Sequence, residues 1–463
     1  MIQSIFVFLR RNIPQDSFLI NRIFVSLYIE YNKIDKYNHF IGKYVISEND
    51  KDYSELIKVL SFLKSQNVEE IRLEDMINLF EFVISPSDRI VTGAIYTPKN
   101  IRDYILGRCL DTIYGLCDIH VADIACGCGG FLMDAAKIIH RKTKKSYYDI
   151  FRQNIYGIDI QSYSIERCKI LLNLLAVSDN EVTDFKINLL CADTLDFKSE
   201  TWDSCYSNFD VIVGNPPYVC GRNMEENTKV KTKRYKVCDS GSTDMYIPFF
   251  QIAIEMLKDN GILGYITMNS FLKSLNARKL REYFMDNHYD ISIIDFRGHQ
   301  IFKGKSTYTC LFFMEKKNSD VLHYCFNEKA MLNNPLCFID IKYSSLDADC
   351  GWNLNENEIA NKIESVGIPL FKYCQTRHGI ATLSNKTYIF SPIKEDDVFY
   401  YLEKNNVIYP IEKIVCKNIV NSNKLKAGVC LEDILRKVIF PYHIDAKGKA
   451  VLFEEEYFRN EFP

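Results

Sequence analysis

The sequence lacks any apolar run close to the roughly 18 residues that a membrane-spanning helix requires. Near the start, Arg10 and Arg11 follow a short apolar stretch, an order that does not fit a secretory signal. The net charge is −3, so the chain also lacks the overall basic excess of a protein that attracts polyanions over its whole surface. We therefore expect a cytoplasmic protein without membrane contact, in which binding of any polyanion depends on local basic clusters.

Paired cysteine motifs with the spacing of a zinc site are absent, although the chain has 16 cysteines. Cys126 and Cys128 form a C-x-C motif, and Cys220 and Cys238 flank a basic loop, but neither pattern matches a metal site. In a long chain without a secretory signal, cysteines are expected as free thiols. We predict no metal centre, and the 463 residues are enough for two or three domains.

The most informative motif is the tetrapeptide 215–218, Asn-Pro-Pro-Tyr, which ends the apolar run 209–214. Each proline fixes its own φ and restricts the residue before it to extended geometry, so the motif is a rigid turn after a buried strand. The Asn215 side-chain oxygen and a backbone carbonyl of this turn are suited to accept both hydrogens of an –NH2 group. Tyr218 is suited to stack on the attached ring. The motif therefore predicts chemistry on a planar amine.

A glycine-rich motif precedes it, in which a short strand ending at Asp123 leads into Cys-Gly-Cys-Gly-Gly and the start of a helix. Glycines allow a close backbone approach to a ligand, and a helix N-terminus offers N–H groups. Two further predicted strands end near Asp159 and Asp193. Because the carboxyl ends of parallel strands share one edge of a sheet, these acids and Asn215 are expected to line a ligand site there.

The order of these motifs resembles the γ class of DNA adenine-N6 methyltransferases of restriction–modification systems. The resemblance includes the Tyr-Thr-Pro segment at 96–98, the glycine loop at 123–131 and the intact Asn-Pro-Pro-Tyr turn. The chain departs from the family pattern at Ile124, where proline is usual, and at Cys128, where serine is usual. Both changes are small in volume, so we expect binding of S-adenosylmethionine (SAM) to survive.

The resemblance implies roles for individual residues. Asp159 is expected to hold the SAM ribose and Asp193 the SAM adenine, while the glycine loop surrounds the methionine end. The implied catalytic residues are Asn215, Pro216, Pro217, Tyr218 and Phe302, with Phe302 as the second aromatic ring over the target base. The implied cofactor residues are Tyr96, Thr97, Pro98, Asp123, Ala125, Cys126, Gly127, Gly129, Phe131, Asp159, Ile160, Asp193, Thr194 and Asn215.

A basic segment follows the turn and supplies a local cluster that the overall charge lacks. We predict that its five cations bind DNA phosphates beside a flipped base. The resemblance also implies a target-recognition domain near the C-terminus, which reads bases in the duplex. The predicted DNA-binding residues are Lys229, Lys231, Lys233, Arg234, Lys236, Arg377, Asn385 and Lys386.

Periodicity and motif order together predict an α/β fold with a Rossmann-like SAM-dependent methyltransferase sheet. The expected divisions are a helical N-terminal region at 1–90, a catalytic domain at 91–320, a connector at 321–360 and a target-recognition domain at 361–463. Relatives continue further after a segment like 439–442, so this recognition domain is expected to be incomplete. Double-stranded DNA is the expected partner, with a second polypeptide as a candidate to complete recognition.

The expected function is methyl transfer from SAM to the N6 amine of a flipped adenine in a specific duplex sequence. Two alternatives stay open. The same tetrapeptide serves enzymes that methylate a glutamine amide in protein or a guanine amine in ribosomal RNA. The second alternative is a non-catalytic DNA-binding or assembly subunit of a split enzyme. The intact turn argues against this alternative.

Overall fold

The computed structural model contains two compact units, Met1–Ile363 and Glu364–Pro463. The residues that the structure describes are 2–14, 16–82, 97–111, 113, 115–198, 206–302, 307–327, 330–332, 334–354, 362–363, 366, 368, 372–374, 382, 384–426, 428–445 and 449–462. Within these ranges, no helix is both long and apolar enough to cross a bilayer. The predicted domain limits stay a prediction.

The first unit begins with helices, as the apolar periodicity predicts. The side chain of Asp16 accepts a hydrogen bond from the Leu19 amide and caps the second helix, while Asn38 caps the third through the Ile41 amide. Their apolar faces are buried in one cluster. The helices are α1 Ile2–Asn12, α2 Ser17–Tyr31, α3 His39–Gly42, α4 Tyr53–Ser65 and α5 Leu73–Phe82.

A nine-stranded sheet follows, in the order β3-β2-β1-β4-β5-β7-β6-β8-β9. Strands β1 to β5 are mutually parallel, whereas β7 is antiparallel to β5 and β6. The sheet is therefore mixed, because β7 pairs antiparallel with β6, the strand before it in the chain. The strands are β1 Val121–Asp123, β2 Ile155–Asp159, β3 Asn188–Cys191, β4 Phe209–Gly214, β5 Leu257–Met268, β6 Tyr289–Asp295, β7 Thr309–Asn318, β8 Val321–Phe326 and β9 Ile339–Lys342.

Helices cover both faces of this sheet. Successive residues of β4 point to opposite faces, so Val211 and Val213 join one buried cluster and Ile212 joins the other. This burial on both sides explains the continuous apolar run that precedes the Asn-Pro-Pro-Tyr turn. The helices of this part of the chain are α6 Lys99–Leu110, α7 Gly130–Thr143, α8 Tyr147–Gln153, α9 Ser162–Ser178, α10 Glu226–Thr232, α11 Tyr246–Met256 and α12 Arg278–Asn287. The fold class predicted from sequence is confirmed.

The second unit is built from small antiparallel sheets, in the orders β10-β15-β14, β11-β12-β13 and β16-β17. Asn405 and Asn406 form the two-residue turn between β12 and β13, with φ of 53° and 61°; asparagine tolerates this conformation well. The elements are α13 Asn385–Tyr388, β10 Ile389–Phe390, β11 Lys394–Glu395, β12 Phe399–Lys404, β13 Val407–Glu412, β14 Cys416–Val420, β15 Leu435–Ile439, β16 Tyr442–Ile444, β17 Ala450–Leu452 and α14 Glu455–Glu461.

Candidate functional site

A cavity of about 360 Å³ opens at the carboxyl ends of β1, β2 and β4. This is the edge of the sheet at which the strand-end acids were expected to meet. The cavity extends from these acids to the turn after β4, so it joins the two motifs that the sequence singled out. Its lining includes these predicted site residues: Thr97, Asp123, Ala125, Cys126, Gly127, Phe131, Asp159, Ile160, Asp193, Thr194, Asn215 and Pro217.

The glycine loop between β1 and α7 has two residues in the left-handed region, Gly127 at φ +52° and Gly129 at φ +90°. The Gly127 amide donates to Asp159 Oδ2 at 2.9 Å, which ties the loop to the end of β2. A Cβ atom on Gly129 would lie 2.4 Å from the Sγ of Cys168 on α9. Both conformation and space therefore require glycine at 129.

Asp123 is buried in the cavity, and Asp159 is half-buried there. Asp123 Oδ1 accepts the Ala125 amide at 3.0 Å, and Asp159 Oδ1 accepts the Gln161 amide at 2.8 Å. Burial raises the pKa of Asp123 to about 8; the Ala125 amide opposes this rise, and the neighbouring Asp159 adds to it. Burial raises the pKa of Asp159 as well, against the two amides that it accepts. Carboxyls in this position suit a ligand that brings hydroxyl donors and positive charge.

Gly214 brings the end of β4 close to Asp123. A Cβ atom on Gly214 would lie 2.7 Å from Asp123 Oδ1. The glycine immediately before the Asn-Pro-Pro-Tyr turn therefore allows the end of β4 to lie against Asp123 at the end of β1. Spacing in the sequence did not reveal this close approach, because the two residues belong to different motifs.

Asp193 lies in an ion-pair cluster rather than alone. Its Oδ1 accepts the Leu195 amide at 3.0 Å, and its Oδ2 accepts from Lys231 Nζ at 2.7 Å. Lys231 Nζ also donates to Asp196 at 2.6 Å, and the Lys231 side chain is only 17% exposed. The structure thus places Lys231, predicted as a phosphate contact, in an ion-pair cluster with Asp193 and Asp196.

The other predicted phosphate contacts are on the outer side of this segment. Lys229 pairs with Glu226 at 2.7 Å, and Arg234 pairs with Asp196 at 3.1 Å. Lys233 and Lys236 are exposed to solvent. In the second unit, Asn385 and Lys386 are exposed on α13. Arg377 and Tyr96 lie outside the described residues.

The turn 215–218 presents Asn215 half-buried beside Thr97, with Asn215 Nδ2 donating to Thr97 Oγ1 at 3.1 Å. The Tyr218 hydroxyl donates to the Ile266 carbonyl at 3.2 Å, which holds its ring in place. The Tyr218 and Phe302 rings meet edge to face, with centroids 6.3 Å apart at 66°. A base sandwiched between parallel faces of these rings requires one of them to turn.

Three of the remaining predicted residues border the cavity lining. Pro98 is the N-cap of α6 with φ −56°, directly after Thr97. Gly129 caps α7, and Pro216 is buried between Asn215 and Pro217. Within the ranges that the structure describes, no three His, Cys, Asp or Glu side chains come together as metal ligands.

Two of the cavity residues that the reasoning from sequence missed are charged residues on neighbouring helices. Glu81 lies on the N-terminal helix α5, and Arg102 lies on α6. Arg102 is 1% exposed and bonded to Glu74 and Asp134, which are 28 and 32 residues away in the chain. The position of Arg102 one helical turn after the Tyr-Thr-Pro segment could have drawn attention to it. The neighbouring residues in the sequence do not indicate that its partners are so distant in the chain.

Comparisons with known proteins cover part of this site. The family model described as Eco57I restriction-modification methylase matches residues 153–302, which include Asp159, Asp193 and the turn. The type II restriction enzyme and methyltransferase RM.Eco57I of Escherichia coli is 29% identical over 424 residues, covering 77% of this chain and 42% of that protein. The type II methyltransferase M.BstVI of Geobacillus stearothermophilus is 26% identical over 352 residues, covering 66% of this chain and 61% of that protein.

The chain is a relative of the restriction–modification methylases. The family model and the two relatives confirm the resemblance of the motifs to the γ class. They also confirm SAM as the cofactor. The chain spans less than two thirds of the length of both relatives. Among solved structures, the type IIL restriction-modification enzyme MmeI in complex with DNA has the same fold, with a TM-score of 0.54 at 14% identity, covering 100% of this chain and 67% of that one.

The cavity fits SAM by the chemistry of its lining. The carboxyls of Asp123 and Asp159 match the ribose hydroxyls and the positive charge of the cofactor, and the loop has glycines where it borders the cavity. Asp159, Asp193 and the loop 123–131 are the residues that would hold it. Their individual roles stay predictions.

Proposed function

We propose that this methylase relative transfers a methyl group from SAM to the N6 amine of adenine in a specific duplex DNA sequence. One observation carries the proposal: Asn215 and Pro217 line the same cavity as Asp123, Asp159 and Asp193. An amine held at the turn is therefore next to whatever the strand-end acids bind. The names of RM.Eco57I and M.BstVI support a DNA substrate.

The turn is suited to activate an amine. SAM, when bound, supplies a methyl group on a cationic sulfonium. The Asn215 Oδ1 and the Pro216 carbonyl accept hydrogen bonds from the two N–H groups of the adenine amine. These hydrogen bonds favour a localised lone pair on the amine nitrogen. Positive charge that develops on this nitrogen is stabilised by the same fixed dipoles and by the faces of Tyr218 and Phe302. As the methyl–sulfur bond breaks, its electron pair stays on sulfur. The extra proton on the amine nitrogen is then released to solvent, so no strong base is needed before attack.

Access to the amine requires the base to leave the duplex, since the turn cannot reach N6 inside a base stack. The exposed Lys233 and Lys236 lie on the segment that follows the turn and are proposed to hold phosphates near the flipped nucleotide. Sequence selection is assigned to the region 361–463, with Asn385 and Lys386 as candidate contacts. Completion of recognition by a second polypeptide belongs to the same proposal.

The test is single-molecule sequencing of DNA from a methylation-free bacterial host that expresses the chain. We expect N6-methyladenine at one short motif, and Asn215→Ala is expected to abolish it, since loss of one fixed polar contact costs about 100-fold or more in rate. Asn287→Ala removes an exposed asparagine at the end of α12 and serves as the matched control.

SAM binding measured by calorimetry completes the test. Asn215→Ala is expected to retain SAM affinity, because Asp159 and the glycine loop are unchanged. A variant that loses SAM binding would show that the turn is structural. Unmodified DNA from a wild-type protein that binds SAM would refute duplex DNA as the substrate of this chain alone, and labelled SAM with protein or ribosomal RNA then tests the other amine substrates.

A further inference from the structure

A buried arginine links the N-terminal helices to the proposed catalytic turn. Arg102 lies on α6 and is 1% exposed. Its guanidinium donates to Asp134 Oδ2 on α7 at 2.8 Å, to Glu74 Oε2 on α5 at 2.6 Å and to the Thr97 carbonyl at 2.7 Å. A guanidinium is a planar fork, so partners in three directions fix its position strongly.

Thr97 is the next member of this chain of contacts. It is 6% exposed, and its carbonyl is held by Arg102 while its hydroxyl contacts Asn215 Nδ2 at 3.1 Å. Pro98 follows with a fixed φ, and the β-branched side chain of threonine has few rotamers. The position of the Thr97 hydroxyl is therefore set by the backbone that Arg102 holds.

The contact with Thr97 bears on which end of the Asn215 amide faces the substrate. An asparagine amide has a donor end and an acceptor end, and only the acceptor end can receive an N–H of an adenine amine. With Nδ2 donating to Thr97, Oδ1 is the end assigned to the amine. We propose that Thr97, held by Arg102, is a positioning residue that sets the amide orientation of Asn215; this inference rests on the proposed function.

The same contacts make the N-terminal helical region part of the site. Glu74 belongs to α5, whereas Asp134 belongs to the helix that follows the glycine loop. A Cβ atom on Gly130 would lie 3.3 Å from Arg102 Nε, so the loop also packs on this guanidinium. One cation thus connects α5, the glycine loop and, through Thr97, the turn that carries Asn215.

Thr97 offers a cleaner test than Arg102, because removal of Arg102 would leave Glu74 and Asp134 without their shared cation in a buried site. Thr97→Val keeps the shape and removes the hydroxyl, and Thr97→Ser restores the hydroxyl. We expect Thr97→Val to lower kcat about 30-fold with the SAM dissociation constant within about threefold of wild type, because misplacement of a reacting group costs rate rather than affinity. Thr97→Ser is expected to recover most of kcat.

A second readout does not depend on activity. In protein labelled with ¹⁵N-asparagine, the side-chain signal of Asn215 is assigned through its loss in Asn215→Ala. We expect Thr97→Val to shift this signal and speed its hydrogen exchange, and Thr97→Ser to leave it near the wild-type position. An Asn215 signal that is unchanged in Thr97→Val would overturn the positioning role.

The two proposals fail in different ways. A wild-type protein that transfers no methyl group, but whose Asn215 signal responds to Thr97→Val, would refute the proposed function and support the contact itself. Weakened SAM binding with an unchanged kcat in Thr97→Val would instead show that the hydroxyl serves the cofactor, and would overturn the inference. Glu74→Gln, compared with the exposed Glu70→Gln, is expected to lower kcat several-fold at unchanged SAM affinity, and equal rates in these two variants would exclude the Glu74–Arg102 contact from the positioning of Thr97.

Discussion

Replacement of Asp123 with asparagine is expected to stabilise the protein, by an amount that grows with pH. Asp123 is 2% exposed at the end of β1, and burial raises its pKa from the ordinary 3.8 to about 8. Between these two values the folded carboxyl keeps a proton that the unfolded carboxyl has released. The free energy of unfolding of the wild type therefore falls as pH rises through this window.

The size of the effect follows from the shift. At about 1.36 kcal/mol per pH unit, the penalty is about 2 kcal/mol at pH 5 and about 5 kcal/mol at pH 8, where the folded carboxyl is half ionised. The Asp123→Asn variant would have no such penalty, and the side-chain oxygen of its amide can still accept the Ala125 amide. With an unfolding entropy of about 2.1 cal/mol/K per residue over the unit Met1–Ile363, the gain in Tm is expected to increase by about 5 °C between the two pH values.

Differential scanning fluorimetry of wild type and Asp123→Asn from pH 5 to pH 8 measures this gain. SAM is expected to reduce the difference, because a cation bound in the cavity favours the ionised carboxylate in the wild type only. A Tm difference that does not change with pH in the absence of SAM would refute the reasoning. So would a variant that becomes less stable than wild type as pH rises.

Two further predictions concern the glycine loop and the basic segment. Gly129→Ala is expected to lose about 3 kcal/mol or more of unfolding free energy, from positive φ and a clash with Cys168, whereas Gly115→Ala, with φ +83° and open space around it, loses about 1 kcal/mol; equal losses in urea denaturation would contradict the clash. Lys231→Ala is expected to weaken SAM binding several-fold, because Asp193 loses its ion pair. Lys233→Ala is expected to leave SAM affinity unchanged and to lower the slope of log DNA affinity against log salt by about 0.9. Calorimetry and DNA titration measure these two quantities. A lower salt slope in Lys231→Ala together with weaker SAM binding in Lys233→Ala would refute these two predictions.

Much of the site follows from local patterns. Asp123, Asp159 and Asn215 each follow a short apolar run, and parallel strands bring their carboxyl ends to one edge of the sheet. The left-handed conformations of Gly127 and Gly129 were likewise implied by a glycine-rich strand–turn–helix motif. Such features depend on a few neighbouring residues and on the one topology that parallel strands favour, so they could be predicted without coordinates.

The sequence by itself thus determined the α/β class, the strand-end acids and the rigid turn, because backbone geometry and burial of apolar runs are local properties. Tertiary structure alone decided which charges meet. Lys231 pairs with acids 35 and 38 residues away, and Arg102 joins Glu74, Thr97 and Asp134. The edge-to-face contact of Tyr218 and Phe302 is of the same kind. These contacts depend on how the elements of the fold pack against one another. The order of residues in the chain does not specify the distances between residues that are far apart in sequence.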